Sequence, residues 1–240
     1  MRIALFGYGK MGKEIEKIAL ERGHQITQRI NTKNPKENLN CADTDVVIEF
    51  TAPEHALENI RFCIDNQMPV VVGTTGWYHA LDEIKNRNTQ KNGSLLYATN
   101  FSLGVNLFFA LNKYLAGLMK NYPEYTAGMT EIHHTQKLDA PSGTGITLAE
   151  QLIEIHPKYT KWENVKKSQI SQTDALSIES LRLPEVPGTH EVKYESPIDT
   201  IEIKHTAHNR KGFALGSVIA AEWLVGKKGI FTMQDVLNLK

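Results

Sequence analysis

The sequence predicts an α/β fold, a doubly wound parallel sheet joined to a second α+β domain whose sheet is mixed or antiparallel. Three observations carry that prediction. Short, continuously apolar runs alternate with amphipathic helical segments through residues 1–102, the pattern of parallel strands buried on both faces. A glycine-rich turn sits between the first apolar run and the first helix. Beyond residue 126, strand-like runs follow one another across short turns, the pattern of antiparallel neighbours.

Each element can be justified in order. Arg2–Phe6 is an apolar run followed by glycines and then the helix-like Met11–Arg22. His24–Ile30, Asp45–Phe50, Pro69–Val72 and Ser94–Ala98 are further short strands rich in valine, isoleucine or leucine. Pro53–Asn66 and Trp77–Asn88 have helical spacing. Val105–Lys120 reads as a helix ending near Pro123, Thr126–His134 as a strand and Thr144–His156 as a helix. Lys158–Thr173 is polar and reads as a surface loop. Ala175–Leu183, Thr189–Glu195 and Thr200–Thr206 read as strands, with turn signals at Pro187-Gly188 and Ser196-Pro197-Ile198-Asp199. Phe213–Val225 closes as a helix whose small residues, among them Ala214, Gly216 and Ala221, suit close packing.

Composition narrows the function classes. The 240 residues balance 27 Lys+Arg against 27 Asp+Glu, so no general basic surface is available to coat nucleic acid. A local anion pocket remains compatible with that neutrality. With 41% hydrophobic and 22% charged residues the chain can build a core, which excludes wholesale disorder. Cys41 and Cys63 are too few for a disulfide framework and lack metal spacing, so free thiols are expected. The N-terminus has no signal-peptide apolar region, and the apolar stretch Leu95–Met119 is broken by Asn100, Asn106, Asn112 and Lys113. A cytoplasmic protein without a membrane span is the expectation.

Gly7-Tyr8-Gly9-Lys10-Met11-Gly12 fits G-x-G-x-x-G after a strand and at a helix start. The first glycine permits the turn, the second lets backbone approach a pyrophosphate, and the third lets helix and strand pack closely; the helix N-terminus offers N–H donors to phosphate. In this context the motif predicts a Rossmann-type dinucleotide site. No acid stands at the end of the second strand, where the ribose hydroxyls are read; Gln28 and Arg29 do, with Lys33 nearby. Arg29 can meet a 2′-phosphate, so NADPH is expected to be accepted at least as well as NADH. A solvated charge at a strand end is the other reading of Arg29. Gly73-Thr74-Thr75-Gly76 and Ala98-Thr99-Asn100-Phe101 follow later strands at the ligand-bearing sheet edge. Both are also ordinary strand-to-helix loops.

The densest chemistry runs from Glu131 to Thr144, Glu-Ile-His-His-Thr-Gln-Lys-Leu-Asp-Ala-Pro-Ser-Gly-Thr. Lys137 and a protonated His134 supply charge, while Ser142, Gly143 and Thr144 supply hydroxyl and N–H donors at a helix start. This is an anion site. In an extended segment His133 and His134 point to opposite faces unless the strand ends there. Neither has a third ligand at zinc spacing, so no metal is expected. Ser142 could also serve simply as a helix cap.

These residues carry a resemblance. Glu131–Thr144 matches without a gap the E-x-H-H-x-x-K-x-D-A-P-S-G-T hallmark of the 4-hydroxy-tetrahydrodipicolinate reductase (dihydrodipicolinate reductase) family. Gly7–Gly12, Glu49-Phe50-Thr51, Gly73–Gly76, Asn100-Phe101-Ser102, Gly188-Thr189-His190, His205-Thr206-Ala207, Arg210, Phe213–Gly216 and Ala221–Leu224 match as well, across almost the whole chain. The resemblance implies reduction of 4-hydroxy-tetrahydrodipicolinate to tetrahydrodipicolinate with loss of water, at the expense of NADH or NADPH, in the diaminopimelate route to lysine. It implies His133 as proton donor, assisted by Lys137, and His134, Lys137, Ser142, Gly143 and Thr144 as binders of the substrate carboxylates. Cofactor contacts carry over to Gly7, Tyr8, Gly9, Lys10, Met11, Gly12, Gln28, Arg29, Gly73, Thr74, Thr75, Ala98, Thr99, Asn100 and Phe101. It further implies a dinucleotide-binding domain of residues 1–102 and 211–240, a substrate-binding and oligomerisation domain of residues 103–210, and a homotetramer.

Three departures stand out. Gln28 replaces an acid, which bears on cofactor choice. Arg182-Leu183-Pro184 replaces R-x-G, with the effect expected on assembly rather than chemistry. Residues Asn31–Thr44 are short where many members carry more chain. Two other functions fit a two-domain dinucleotide protein: a different NAD(P)-dependent amino- or imino-acid dehydrogenase, and a non-catalytic dinucleotide sensor. The second leaves the His133–Thr144 cluster without a purpose.

Overall fold

The structure is a computed structural model that describes residues 1–165, 174–209 and 211–239. The chain begins with β1 (Arg2–Phe6), α1 (Lys10–Glu21), β2 (Gln25–Ile30), β3 (Val46–Glu49), α2 (Pro53–Asp65), β4 (Val70–Val72), α3 (Leu81–Gln90) and β5 (Ser94–Tyr97). It continues through α4 (Leu103–Met119), β6 (Thr126–His133), α5 (Gly143–Ile155), β7 (Lys161–Val165), β8 (Ala175–Arg182), β9 (Gly188–Glu195) and β10 (Thr200–Ala207). It ends with α6 (Lys211–Leu224), β11 (Gly229–Phe231) and α7 (Met233–Val236). Two compact units result, Met1–Leu103 with Lys211–Lys240, and Gly104–Arg210.

The first unit is a six-stranded parallel sheet in the order β11-β5-β4-β3-β1-β2. Alternate residues of its strands feed two separate cores. Ile3, Leu5, Val46 and Ile48 pack with Ile15 and Ile18 of α1 and with Ala214, Val218 and Leu224 of α6. Ala4, Phe6, Val47 and Val70 pack with Ala56, Ile60 and Ile64 of α2, together with Trp77 and Ile84. Helices on both faces explain why these strands are apolar without alternation. The strand order reverses between β1 and β3, so the carboxyl ends of those strands form the crevice where such sheets bind ligands.

The second unit is a mixed five-stranded sheet in the order β10-β9-β6-β8-β7. β6 runs antiparallel to β9 and parallel to β8, and β10 runs antiparallel to β9. α4 and α5 cover one face, where Phe108, Ala116, Leu148 and Leu152 meet Met129, Ile178, Val192 and Tyr194. Buried Asn112 of α4 donates to Leu148 O at 3.0 Å, tying the two helices together.

Three segments differ from the sequence reading. Lys158–Thr173 was expected as a loop, but Lys161–Val165 is strand β7 on the sheet edge, and residues 166–173 lie outside the described residues, as does Arg210. An edge strand exposed on most of its length needs no apolar alternation, so Lys-Trp-Glu-Asn-Val carries none. Residues 229–236 add β11 and the short α7, which carried no sequence signal. Residues Asn31–Thr44 hold only two short 3₁₀ turns, Lys36–Asn38 and Cys41–Asp43. Both cysteines are free, and no helix among the described residues is long and apolar enough to cross a membrane.

Candidate active site

Strand register builds the chemical centre of the second unit. Glu131 and His133 are two residues apart on β6, so they share a face. That face is the one carrying Ala127 and Met129 into the core under α5. β9 places His190 directly opposite Glu131, and β8 places Arg182 beside His133. Four polar side chains thus meet on an otherwise apolar face. β6 ends at His133, so half-buried His134 already belongs to the following loop.

The contacts among the four are specific. Glu131 is 1% exposed; its Oε2 lies 2.9 Å from His133 Nδ1, a charge contact rather than an aligned hydrogen bond, and 3.9 Å from His190 Nε2. Its Oε1 accepts from Arg182 Nη2 at 3.0 Å. Burial alone would raise the Glu131 carboxyl, but His133, Ser142 and Arg182 around it outweigh burial and hold it well below the usual range. The centre therefore contains a fixed carboxylate. Burial, with the neighbouring His133 next, pushes His190 down to about 4, so it is neutral at pH 7. His190 Nε2 lies 3.0 Å from Ser142 Oγ. On its other edge His133 faces Gly188, where a Cβ would stand 3.1 Å from Nε2.

Arg182 also braces the neighbouring loop. Besides Glu131, its guanidinium donates to Lys137 O at 3.3 Å and Asp139 O at 2.6 Å, bracing the loop between β6 and α5. The parallel pairing of His133 with Arg182 puts this side chain beside the Glu131–His133 pair.

The loop leads into α5. Ser142 is its N-cap, buried, with Oγ accepting from Gly145 N at 3.1 Å. The hydroxyl is thus engaged within the protein on both sides, and exposed Gly143 presents backbone at the positive end of the helix. Lys137 Nζ stands at the loop, held by both carboxylate oxygens of exposed Asp139 at 2.8 Å. Glu131, His133 and His190 also bring three potential metal-ligand atoms within 4.8 Å of one another. Arg182 donates to the other carboxylate oxygen, Oε1, and Ser142 Oγ lies against His190 Nε2, while Glu131 Oε2 and His133 Nδ1 have no aligned hydrogen bond among the described residues. Sequence reading assigned no role to Glu131, His190 or Arg182.

The first unit holds the nucleotide features. Gly7 has φ of 91°, and a Cβ there would come 2.1 Å from Phe50 O; one on Gly12 would come 2.3 Å from Gly7 O. A Cβ on Gly9 would meet nothing within 4 Å. Gly9 is also the N-cap of α1 and leaves the helix without a side-chain cap. An open backbone cradle at an uncapped helix start fits a dinucleotide pyrophosphate. Beside it lies a cavity of about 540 Å³ bounded by Gly7, Tyr8 and Gly9, by Ile30–Thr32 after β2, and by Thr51, Ala52 and His55 near α2. That is room enough for a ligand moiety.

The other cofactor candidates have individual placements. Gln28 faces away from Arg29 and clamps the short loop, donating to Asn38 O at 2.8 Å and accepting from Asn40 N at 2.6 Å. Arg29 pairs with Glu16 of α1. Thr74 is buried, accepting from Thr51 N through Oγ1 at 2.8 Å and from Trp77 Nε1 through its carbonyl at 2.9 Å. Phe101 is buried against Phe50, whereas Thr75 and Thr99 are exposed and Gly73, Ala98 and Asn100 half-buried. Lys10 is exposed, and Met11 packs on the α1 core.

Comparison with known proteins agrees along the whole chain. Family models described as dihydrodipicolinate reductase, N-terminus, and dihydrodipicolinate reductase, C-terminus, match residues 1–101 and 104–237. A 4-hydroxy-tetrahydrodipicolinate reductase of Christiangramia forsetii is 47% identical over 238 residues, 99% of this chain and 98% of that protein. Among solved structures, a dipicolinate-bound dihydrodipicolinate reductase from Paenisporosarcina sp. TG-14 superposes with a TM-score of 0.80 at 22% identity, covering 98% of each chain. An amine dehydrogenase from Mycobacterium smegmatis shares the fold more distantly, with a TM-score of 0.59 at 10% identity over 96% of this chain and 94% of that one.

Proposed function

Since this chain belongs to the dihydrodipicolinate reductase family, we propose how its own residues carry out that family's reaction. The protein is an NAD(P)H-dependent 4-hydroxy-tetrahydrodipicolinate reductase of the diaminopimelate route to lysine, forming tetrahydrodipicolinate with loss of water. The observation that carries the mechanism is the Glu131–His133–Arg182–His190 patch beneath the start of α5.

The substrate is a small dicarboxylate. Lys137 exchanges Asp139 for one carboxylate, and the N-terminus of α5 at Gly143 and Thr144 receives it with N–H donors, His134 lying alongside. Ser142 acts mainly as the cap that holds that helix start in place. The nicotinamide cofactor, NADH or NADPH, supplies hydride when bound. Reduction beside a conjugated imine builds negative charge on the far atom, and that atom takes a proton from His133 Nε2, the edge turned toward Gly188. The Glu131 carboxylate, 2.9 Å from Nδ1, holds the ring in place. Gly7–Gly12 cradle the pyrophosphate, and the sheet-edge loops Gly73–Thr75 and Ala98–Phe101 frame the rest of the dinucleotide. Residues 1–102 with 211–240 serve as the dinucleotide-binding domain and 103–210 as the substrate-binding and oligomerisation domain. Assembly is a homotetramer.

A coupled assay tests this reading, with pyruvate, aspartate semialdehyde and the upstream synthase generating substrate and NADH or NADPH supplied separately. His133→Gln lowers kcat roughly 10²–10⁴-fold while leaving dinucleotide Kd unchanged. A variant with full kcat removes His133 from the proton step.

A further inference from the structure

Arg29 is the penultimate residue of β2, packed on Tyr8, which lines the cavity by the glycine turn, and its charge is already taken. The guanidinium donates through Nε to Glu16 Oε2 at 3.1 Å and through Nη2 to Glu16 Oε1, while the Tyr8 hydroxyl donates to the same carboxylate. The guanidinium carbon lies 5.5 Å from the Tyr8 ring centre, beside the glycine turn. Glu16 is held below the usual carboxylate range chiefly by the Arg29 hydrogen bond, against the opposing effect of burial, so the pair is ionised at neutral pH. The adjoining cavity adds no positive surplus: its charged lining side chains are Lys36 against Glu37 and Glu58.

We propose that Glu16 is a specificity-determining residue that biases the adenosine site toward NADH over NADPH. A 2′-phosphate carries close to two negative charges at pH 7. To reach Arg29 across Tyr8 it must share or displace a bidentate carboxylate, and the cavity on the near side of Tyr8 carries Glu37 and Glu58 of its own. The 2′-hydroxyl of NADH meets no such opposition. Arg29 alone would favour the phosphate; Glu16, projecting from the second turn of α1, cancels that preference. The proposal rests on the nucleotide site at Gly7–Gly12.

The test is direct binding, followed by quenching of intrinsic fluorescence and by calorimetry, of NADH, NADPH, 5′-AMP and adenosine 2′,5′-bisphosphate. Glu16→Gln and, independently, Glu16→Ala should each shift the Kd ratio of NADH to NADPH, and of the two adenosine nucleotides, about tenfold toward the phosphorylated member. Adding Arg29→Ala to Glu16→Gln should abolish the shift. Ratios unchanged in both single variants, or moved toward NADH, overturn the role of Glu16. If the unaltered protein binds none of the four nucleotides, the nucleotide site itself falls and the proposal with it; binding with an unmoved ratio sinks the proposal alone.

Discussion

Glu131 shows how one buried side chain can organise several others. Its two oxygens address His133 and Arg182 separately, so it orients an imidazole while a guanidinium keeps it charged. A buried carboxylate without such partners would instead take up a proton. Replacing Glu131 by Gln preserves shape but removes the anion beside Nδ1. The expected result is a loss of kcat of roughly 10- to 100-fold. Dinucleotide affinity should not move, and Glu131→Asp should recover part of the loss. A pH–rate profile parallel to that of the unaltered enzyme would reduce Glu131 to a packing residue. A methyl group on Gly188 would stand 3.1 Å from Nε2 and, on the proposed proton step, crowd that atom.

At the scale of elements, α4 separates its two faces sharply. Phe108, Ala116 and Met119 enter the core, whereas Leu107, Leu111, Tyr114 and Leu118 repeat every three or four residues and are 51%, 47%, 68% and 47% exposed. An apolar stripe of this kind on one helix face marks a contact surface, and on the proposed homotetramer a further copy of this chain is its expected partner. Leu111→Glu with Tyr114→Glu should lower the mass seen by light scattering toward the 27.0 kDa of one chain; an unaltered protein already at that mass rejects the assembly. The elements themselves were largely readable in the sequence, because β1, β3 and β4 are apolar on both faces and the helices between them are amphipathic. Strands β7 and β11 were not, since Lys-Trp-Glu-Asn-Val is mostly polar and β11 is only 3 residues long. The centre was half legible. Glu131 and His133 announce a shared face by their spacing, and the helix start at Ser142 by its composition. His190 and Arg182 join only through inter-strand register, which no single strand encodes, and Glu16 looked like any polar position on an exposed helix face.

Across the whole molecule, buried Glu49 of the first unit and buried His190 of the second respond oppositely to mild acid. In the second unit burial holds His156, His190 and His205 below their ordinary value, His190 at about 4. A group whose folded value is depressed contributes stability above its unfolded value and loses it as pH falls toward the folded one. For His190 that window runs from about 6.5 to 4 and is worth up to about 3 kcal/mol. Glu131, also depressed, adds its loss only below the ordinary carboxylate range, near pH 4. In the first unit, burial raises Glu49 despite hydrogen bonds from Thr51, Thr74 and Asn59. A raised carboxyl works the other way: its contribution is complete below the unfolded value and fades as pH rises, so mild acid relieves this unit of a buried charge. Acidification from pH 7 to 5 should therefore loosen the second unit first. Hydrogen-exchange protection factors, corrected for the intrinsic pH dependence of exchange, should fall in peptides of β6 and β9 while those of β1 and β3 hold. His190→Asn should flatten much of that fall, because asparagine does not titrate. Equal losses in both units, or earlier loss in β1 and β3, would show that the buried histidines do not govern the acid limb.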